Sequence, residues 1–304
     1  MTNEARARTW LWVLVGGGAF FIFLIAVFTL VYLVAKSGNQ QAQFTGFGDK
    51  IAVVDVEGVI IEPRTVVKEL KRYAKDDSIK AIILHINTPG GGAAASQEIH
   101  DEVKRIRNEK KKPIVASIET LGASGGYYVA VATDKIYADP SSIVGSIGVI
   151  SQWYNYADLL RWIKLKDVTF KAGELKDTGN PAREMTPMEK EYIQNLINDM
   201  HGEFIRAVAE GRKMKTEAVK PLADGRVWTG NQALGLKMID QIGDFETALR
   251  ETAKSVGISG EPTIVRPEKE KRTLLDLMFG DISDLIPTRA KLMESHMGFY
   301  YLWK

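Results

Sequence analysis

The stretch Pro113-Ile114-Val115-Ala116-Ser117-Ile118, followed three residues later by Gly122-Ala123-Ser124-Gly125-Gly126-Tyr127-Tyr128, decides how this chain is read. The first part is a short apolar run with β-branched residues, the pattern of a buried strand. The second is a glycine-rich turn that opens a small apolar helix over residues 127–131. A serine between glycines at a strand-to-helix turn can be held on a sharp bend. Its hydroxyl is then exposed, and the free N–H groups of the helix start face an anion. That suits a nucleophile whose attack creates an oxyanion, and it equally suits a serine that only caps a helix. The G-x-S-x-G spacing arises by chance, so the rest of the chain decides between them.

Outward from this turn, apolar runs alternate with amphipathic segments. Residues 51–56, 79–86 and 135–138 read as strands, and residues 65–74 and 95–108 as helices. Residues 167–170 (DVTF) read as a further strand. A long helix follows from Thr186, its N-cap, to residue 212, and another covers residues 245–256. The pattern predicts an α/β fold of repeated β-α-β units with a mostly parallel sheet. The folded domain is expected over residues 49–258, with a tail at 259–304.

Residues 9–35 are almost wholly apolar and uncharged. At a helical rise of about 1.5 Å per residue they are long enough to cross a hydrocarbon core of about 30 Å. Trp10, Trp12 and Tyr32 sit near its ends, where amphipathic rings settle, and the run exceeds the apolar region of a cleaved signal peptide. Arg6 and Arg8 precede the span, which places residues 1–8 in the cytoplasm and the rest of the chain outside. Residues 36–48 are polar and aperiodic, a tether between membrane and domain.

Composition narrows the chemistry. The 304 residues carry a net charge of +2 without a basic stripe, so a nucleic-acid partner is not expected. The absence of cysteine removes thiol catalysis, and four scattered histidines offer no zinc-binding pair. Neither metal nor cofactor is expected.

Three further stretches carry chemical suggestions. Asn87-Thr88-Pro89-Gly90-Gly91-Gly92 lies between a strand and a helix. Its glycines can turn N–H groups toward a ligand, forming part of an oxyanion hole or a ledge for an extended peptide. An ordinary βα turn has the same look. Residues 139–149 are rich in small side chains and include Ser146, either a hydroxyl satisfied by backbone or a support for a catalytic group. Residues 170–177 run from the expected strand into a loop where Lys171 and Lys176 are placed to turn inward, while two solvated surface lysines are the more ordinary reading. A lysine acts as a general base near neutral pH only when burial or positive neighbours depress its pKa. A triad would have to use His201 or His296, the two histidines after Ser124, and neither lies on a loop suited to it.

In order and spacing, N-T-P-G-G-G, G-A-S-G-G-Y-Y, G-S-I-G-V, G-E-L-K and R-E-M-T resemble the signal peptide peptidase A family over residues 50–255. The resemblance implies the Clp protease/crotonase-like fold and a membrane-anchored serine endopeptidase. It implies Ser124 as nucleophile, Lys176 as general base, the N–H groups of Gly91 and Gly125 as oxyanion hole, and Ser146 as support for the lysine. Leu175 and Thr88 stand where the family commonly has an aromatic residue and a serine. It implies peptide substrates, the hydrophobic remnants of cleaved signal peptides, and a place in the bacterial cytoplasmic membrane. With a single copy of the catalytic segment, the chain resembles short members that form a homo-oligomeric ring of eight with sites shared between protomers. The competing functions are an α/β-hydrolase-type esterase using Ser124 with a histidine, and a non-catalytic module that binds an acyl group or a peptide. The tail holds apolar clusters at residues 274–279 and 298–303. Docking on an ordinary face of the domain is expected for them, ahead of the membrane, a neighbouring subunit or the enzyme's own cleft.

Overall fold

A computed structural model describes residues 49–267 and 300–303, together with Gly18, Phe23, Ile25 and Thr29. The chain forms two compact units, residues 1–47 and 48–304. In the first, the four described residues are helical and exposed, and Thr29 Oγ1 donates to the Ile25 carbonyl at 2.7 Å. Among the described residues no helix is long and apolar enough to cross a membrane. The span expected over residues 9–35 otherwise lies outside them, as do the tether and His296.

The second unit is built on an eight-stranded sheet in the order β7 (Val227–Thr229), β6 (Ile143–Gly145), β4 (Ile114–Ala123), β2 (Ile79–Thr88), β1 (Lys50–Glu57) and β9 (Thr263–Val265), with β5 (Lys135–Ala138) pairing β4 and β8 (Gln241–Ile242). All sheet pairings are parallel except β6 with β7. Parallel strands need helical crossovers, so both faces are covered and the strands read as continuous apolar runs. Ala52, Val54 and Val56 of β1 join the main core, while Ile51 and Val53 on the opposite face pack on Leu249 and Ala253. The sheet extends past residue 258, because β9 (Thr263–Val265) pairs with β1.

On the main-core side lie α1 (Arg64–Lys75), α2 (Ala93–Arg105), the short buried α3 (Gly125–Ala130) and the end of α5 (Pro187–Gly211). Between β6 and α5 stands an arm whose only helix is α4 (Ala157–Trp162). Thr186 caps α5 as expected, in a full capping box with Glu189. The strand expected at residues 167–170 does not form. Val168 and Phe170 are exposed, Phe170 to 95 %, and an isolated extended segment has no ladder to satisfy its backbone.

Candidate active site

The parallel sheet delivers Ser124 to its place. Ala123, the last residue of β4, registers with Gly145 of β6, and the Ser124 N–H donates to the Gly145 carbonyl at 2.7 Å. The chain then turns abruptly into α3 with Ser124 at φ 52°, ψ −116°, a conformation costing a non-glycine residue about 1–3 kcal/mol. Such strain persists only where packing over-determines it. Here a Cβ on Gly125 would stand 2.4 Å from Ser96 Oγ and 3.2 Å from the Gly90 Cα. Ser124 was expected to expose its hydroxyl, but it is 1 % exposed. Its Oγ is buried with no hydrogen-bond partner among the described residues.

The glycine stretch forms a short strand, β3 (Gly90–Gly92), and it is a true ledge. One edge is anchored. Ile60 N–H donates to Gly90 O and Gly92 N–H to Ile60 O, each at 2.8 Å. Thr88, 0 % exposed, fastens the near end: its Oγ1 accepts from Gly90 N–H at 3.0 Å and donates to the Gly58 carbonyl. A Cβ on Gly126 would stand 2.5 Å from the Thr88 methyl, so the same side chain supports both the ledge and the helix behind Ser124.

The other edge of the ledge holds the chain's own tail. Strand β10 (Tyr300–Leu302) runs antiparallel along β3, with Tyr300 opposite Gly92, Tyr301 opposite Gly91 and Leu302 opposite Gly90. Tyr300 exchanges both backbone hydrogen bonds with Ile150 at 3.0 Å, and Trp303 N–H donates to Pro89 O at 2.9 Å. Strand alternation therefore turns the backbone groups of Tyr301 toward Gly91. The point where a Gly90 Cβ would stand is 2.1 Å from Tyr301 O, 2.5 Å from Gly125 N and 3.1 Å from Ser124 Cβ. One peptide carbonyl, two candidate oxyanion donors and the serine thus converge on one spot. The expectation of ordinary docking for the last residues is overturned, because an open strand edge and an aromatic pocket are both available in the cleft.

The pocket receives Tyr301, which is 3 % exposed. Its ring stacks on Tyr128 at 5.2 Å between centroids and lies 4.7 Å from Phe204, and its hydroxyl donates to Met200 O at 3.0 Å. Burial raises the Tyr128 and Tyr301 pKa values far above the ordinary phenol range, so both rings stay neutral. The His100 ring lies 4.8 Å from that of Tyr128, tilted by 48°, and burial lowers its pKa despite the opposing pull of Asp101.

Among the described residues Lys176 makes no hydrogen bond to the Ser124 hydroxyl. It is exposed, on the loop that ends the arm. Neither lysine turns inward: Lys171 pairs with Asp177 and donates to Glu174 O at 2.7 Å. Asp177 also accepts from Arg183 Nε at 3.0 Å, and Arg183 Nη1 reaches Glu189 at 2.8 Å. The R-E-M-T stretch therefore clamps the lysine loop to the start of α5. Ser146 follows Gly145 at the sheet end adjoining Ser124, with φ 51°, 6 % exposure and its N–H donating to Arg226 O at 2.8 Å.

No histidine replaces the lysine among the described residues. His201 lies in α5 with Nε2 buried and unpartnered, and His85 lies near Asp55 and Glu119 on the opposite face of the sheet. Asp55, Glu57 and His85 offer ligand atoms within 4.8 Å of one another, the one potential cation cluster among the described residues. Arg266 already bonds Asp55 Oδ1 at 2.8 Å, which supplies the neutralising charge that a metal would bring. Sequence reasoning missed Ile60, Ile150, Met200, Tyr128 and Phe204. Only the apolar cluster at residues 298–303 hinted at what joins them.

Two family models and several relatives match this chain. The model of peptidase family S49 matches residues 106–259, just over half of the chain. A CoA-ligase model also matches residues 27–126, about a third of the chain. A candidate protease of Methanocaldococcus jannaschii is 35% identical over 275 residues, 85% of this chain and 88% of that protein. A candidate signal peptide peptidase SppA of Enterococcus faecium is 40% identical over 186 residues, and the chain spans only 54% of its length. The chloroplastic serine protease SPPA of Arabidopsis thaliana is 28% identical over 258 residues, 80% of this chain and 38% of that protein.

Proposed function

Because the chain belongs to peptidase family S49, we propose that it is a membrane-anchored serine endopeptidase working through a Ser124–Lys176 dyad. The observation that carries this reading is the seating of Tyr300–Leu302. An extended peptide lies on the ledge with a carbonyl toward the N–H groups of Gly91 and Gly125, beside an unpartnered serine hydroxyl. In the reaction, neutral Lys176 takes the Ser124 proton as Oγ attacks the peptide carbonyl. The ammonium then protonates the leaving amine, and water releases the acyl group. Each preorganised N–H donor at the oxyanion is worth about 3 kcal/mol.

Lys176 comes from a neighbouring protomer in a ring of eight, with Ser146 of the serine's own protomer orienting its ammonium. This accounts for a serine with no base beside an exposed lysine loop. It also accounts for the apolar side chains that the arm presents to solvent, among them Trp162, Leu165 and Phe170. Docking buries them and desolvates the lysine, which depresses its pKa. The span at residues 9–35 fastens the domain to the outer side of the bacterial cytoplasmic membrane, and the exposed helical Phe23 and Ile25 suit a lipid environment. Substrates are hydrophobic peptides, foremost the remnants of cleaved signal peptides. The name of the Enterococcus relative supports this class.

The test is the pair Ser124→Ala and Lys176→Ala, assayed on hydrophobic peptides. Each alone should abolish cleavage, and mixing the two should restore part of it through sites that draw Ser124 and Lys176 from different protomers. Activity that survives Lys176→Ala would sink the dyad. A wild type that cleaves neither peptides nor esters would leave a binding module.

A further inference from the structure

One peptide group joins the serine turn to the edge of the sheet. The Gly145 carbonyl accepts from Ser124 N–H at 2.7 Å, and the N–H of the same peptide, that of Ser146, donates to Arg226 O at 2.8 Å. A peptide is planar and stiff, so a tilt of this one displaces Ser124 and Ser146 together. Gly145 stands at φ 102°, which glycine adopts readily, and Ser146 at φ 51°, which its neighbours must enforce. The edge strand β7 supplies those neighbours. Val227 lies opposite Gly145 and Trp228 opposite Val144. The point where a Gly145 Cβ would stand is 2.9 Å from Trp228 Cδ1 and 3.2 Å from Met238 Cε. Arg226 pairs with Asp224 and lays its guanidinium over the indole, 5.5 Å from the ring centre. The far end of β7 is pinned by a capping box between Thr229 and Gln232, and by Gly230, whose backbone lies against the Asp139 carbonyl.

We infer that Trp228 is a positioning residue for Ser124. Its ring edge holds the Gly145–Ser146 peptide, and that peptide sets where the hydroxyls of Ser124 and Ser146 stand. The inference rests on reading Ser124 as the nucleophile. The ring matters here and its polarity does not, because the indole Nε1 is buried without a hydrogen-bond partner among the described residues. Phenylalanine in its place keeps an aromatic edge against Gly145 and removes a donor that costs free energy when buried unsatisfied. Alanine or leucine withdraws the flat edge and lets the peptide tilt. The ledge that seats a peptide is anchored separately, on Ile60 and Thr88, so the loss falls on kcat ahead of KM.

The experiment separates placement from folding. The full chain with Trp228→Ala, Trp228→Leu or Trp228→Phe is compared with Leu249→Ala, a cavity on the opposite face of the sheet. Two quantities are measured below the melting temperature of every variant. One is kcat and KM on a hydrophobic peptide; the other is the rate at which a dye-bearing fluorophosphonate labels Ser124, with Ser124→Ala as blank. Trp228→Ala and Trp228→Leu should lose about 30-fold or more in kcat and in labelling, with KM near wild type, because a catalytic group misplaced by about 1 Å costs about 100-fold. Trp228→Phe should stay within about threefold of wild type. Leu249→Ala should melt lower yet keep both rates. Trp228→Leu retains apolar bulk, so it carries the test if the alanine variant does not fold. Wild-type rates in Trp228→Leu would overturn the inference, as would Trp228→Phe as slow as Trp228→Leu, or an equal loss in Leu249→Ala. Labelling without cleavage in the wild type would remove the peptidase reading, and labelling faster in Trp228→Phe than in Trp228→Leu would still uphold the inference.

Discussion

The corner around Ser124 and the arm that carries Lys176 are opposites. At the corner, Gly90, Gly125, Ser96 and Thr88 are so close that an added methyl meets a neighbour within about 2.5 Å. The arm exposes Tyr154, Leu159, Trp162, Leu165, Val168 and Phe170. Among the described residues the first region is fully packed, and the apolar side chains of the second stay exposed. Under the proposed function, half of the site is a product of packing within one chain and the other half is completed by assembly.

The largest effect expected separates the two regions by activity and stability. Lys176→Ala should lower cleavage by about 10,000-fold, as Ser124→Ala does. Thermal melting of the Lys176 variant should stay near wild type, because an exposed side chain away from packing costs little. A large drop in melting temperature would place Lys176 in the packed half and erase the contrast. Next comes Gly125→Ala, whose methyl would meet Ser96 Oγ at 2.4 Å. Denaturant unfolding should show a loss of about 1–3 kcal/mol, with cleavage falling as well. Thr88→Val keeps the shape and removes the staple between Gly58 and Gly90, for a cost of about 1–3 kcal/mol. Thr88→Ser, which keeps the hydroxyl and loses the methyl, should cost less than Thr88→Val, and an equal or greater cost would give the methyl against Gly126 the larger share.

On the arm, Phe170→Ser combined with Trp162→Ser should shift sedimentation toward the protomer while leaving protomer melting unchanged. Lowered melting would mean that these residues pack within the chain. The smallest effect is in acid. Hydrogen bonds from Arg183, ahead of that from Thr186 N–H, hold the Glu189 pKa at about 2 against an ordinary 4.5. A depressed carboxylate contributes stability that is complete above its unfolded pKa and lost as pH falls through its folded one. Between about pH 4.5 and pH 2 the clamp on the lysine loop should therefore weaken, and Glu189→Gln should flatten that part of the pH–stability curve.

The parallel sheet was legible because its strands are buried on both faces and carry unbroken apolar runs such as residues 51–54 and 82–84. Thr186 as N-cap was legible for a local reason: capping box partners lie three residues apart. Residues 167–170 misled because β-branched and aromatic residues resemble a strand whether or not a partner strand exists. Tyr301 in the cleft was legible only as one of the less expected places for the apolar cluster at residues 298–303. It joins residues that are far apart in sequence, Gly91, Met200 and the tail, through contacts no local pattern encodes.

By itself the sequence determined the β-α-β layout, the glycine ledge, the serine turn and the lysine loop. All of these rest on local periodicity and backbone freedom at glycine. Tertiary structure alone decided that the ledge, the turn and the tail meet at one point, and that Lys176 is exposed and not bonded to the Ser124 hydroxyl. That decision belongs to register and close packing: Ala123 beside Gly145 aims Ser124 toward the ledge, while among the described residues the apolar side chains of the arm are exposed.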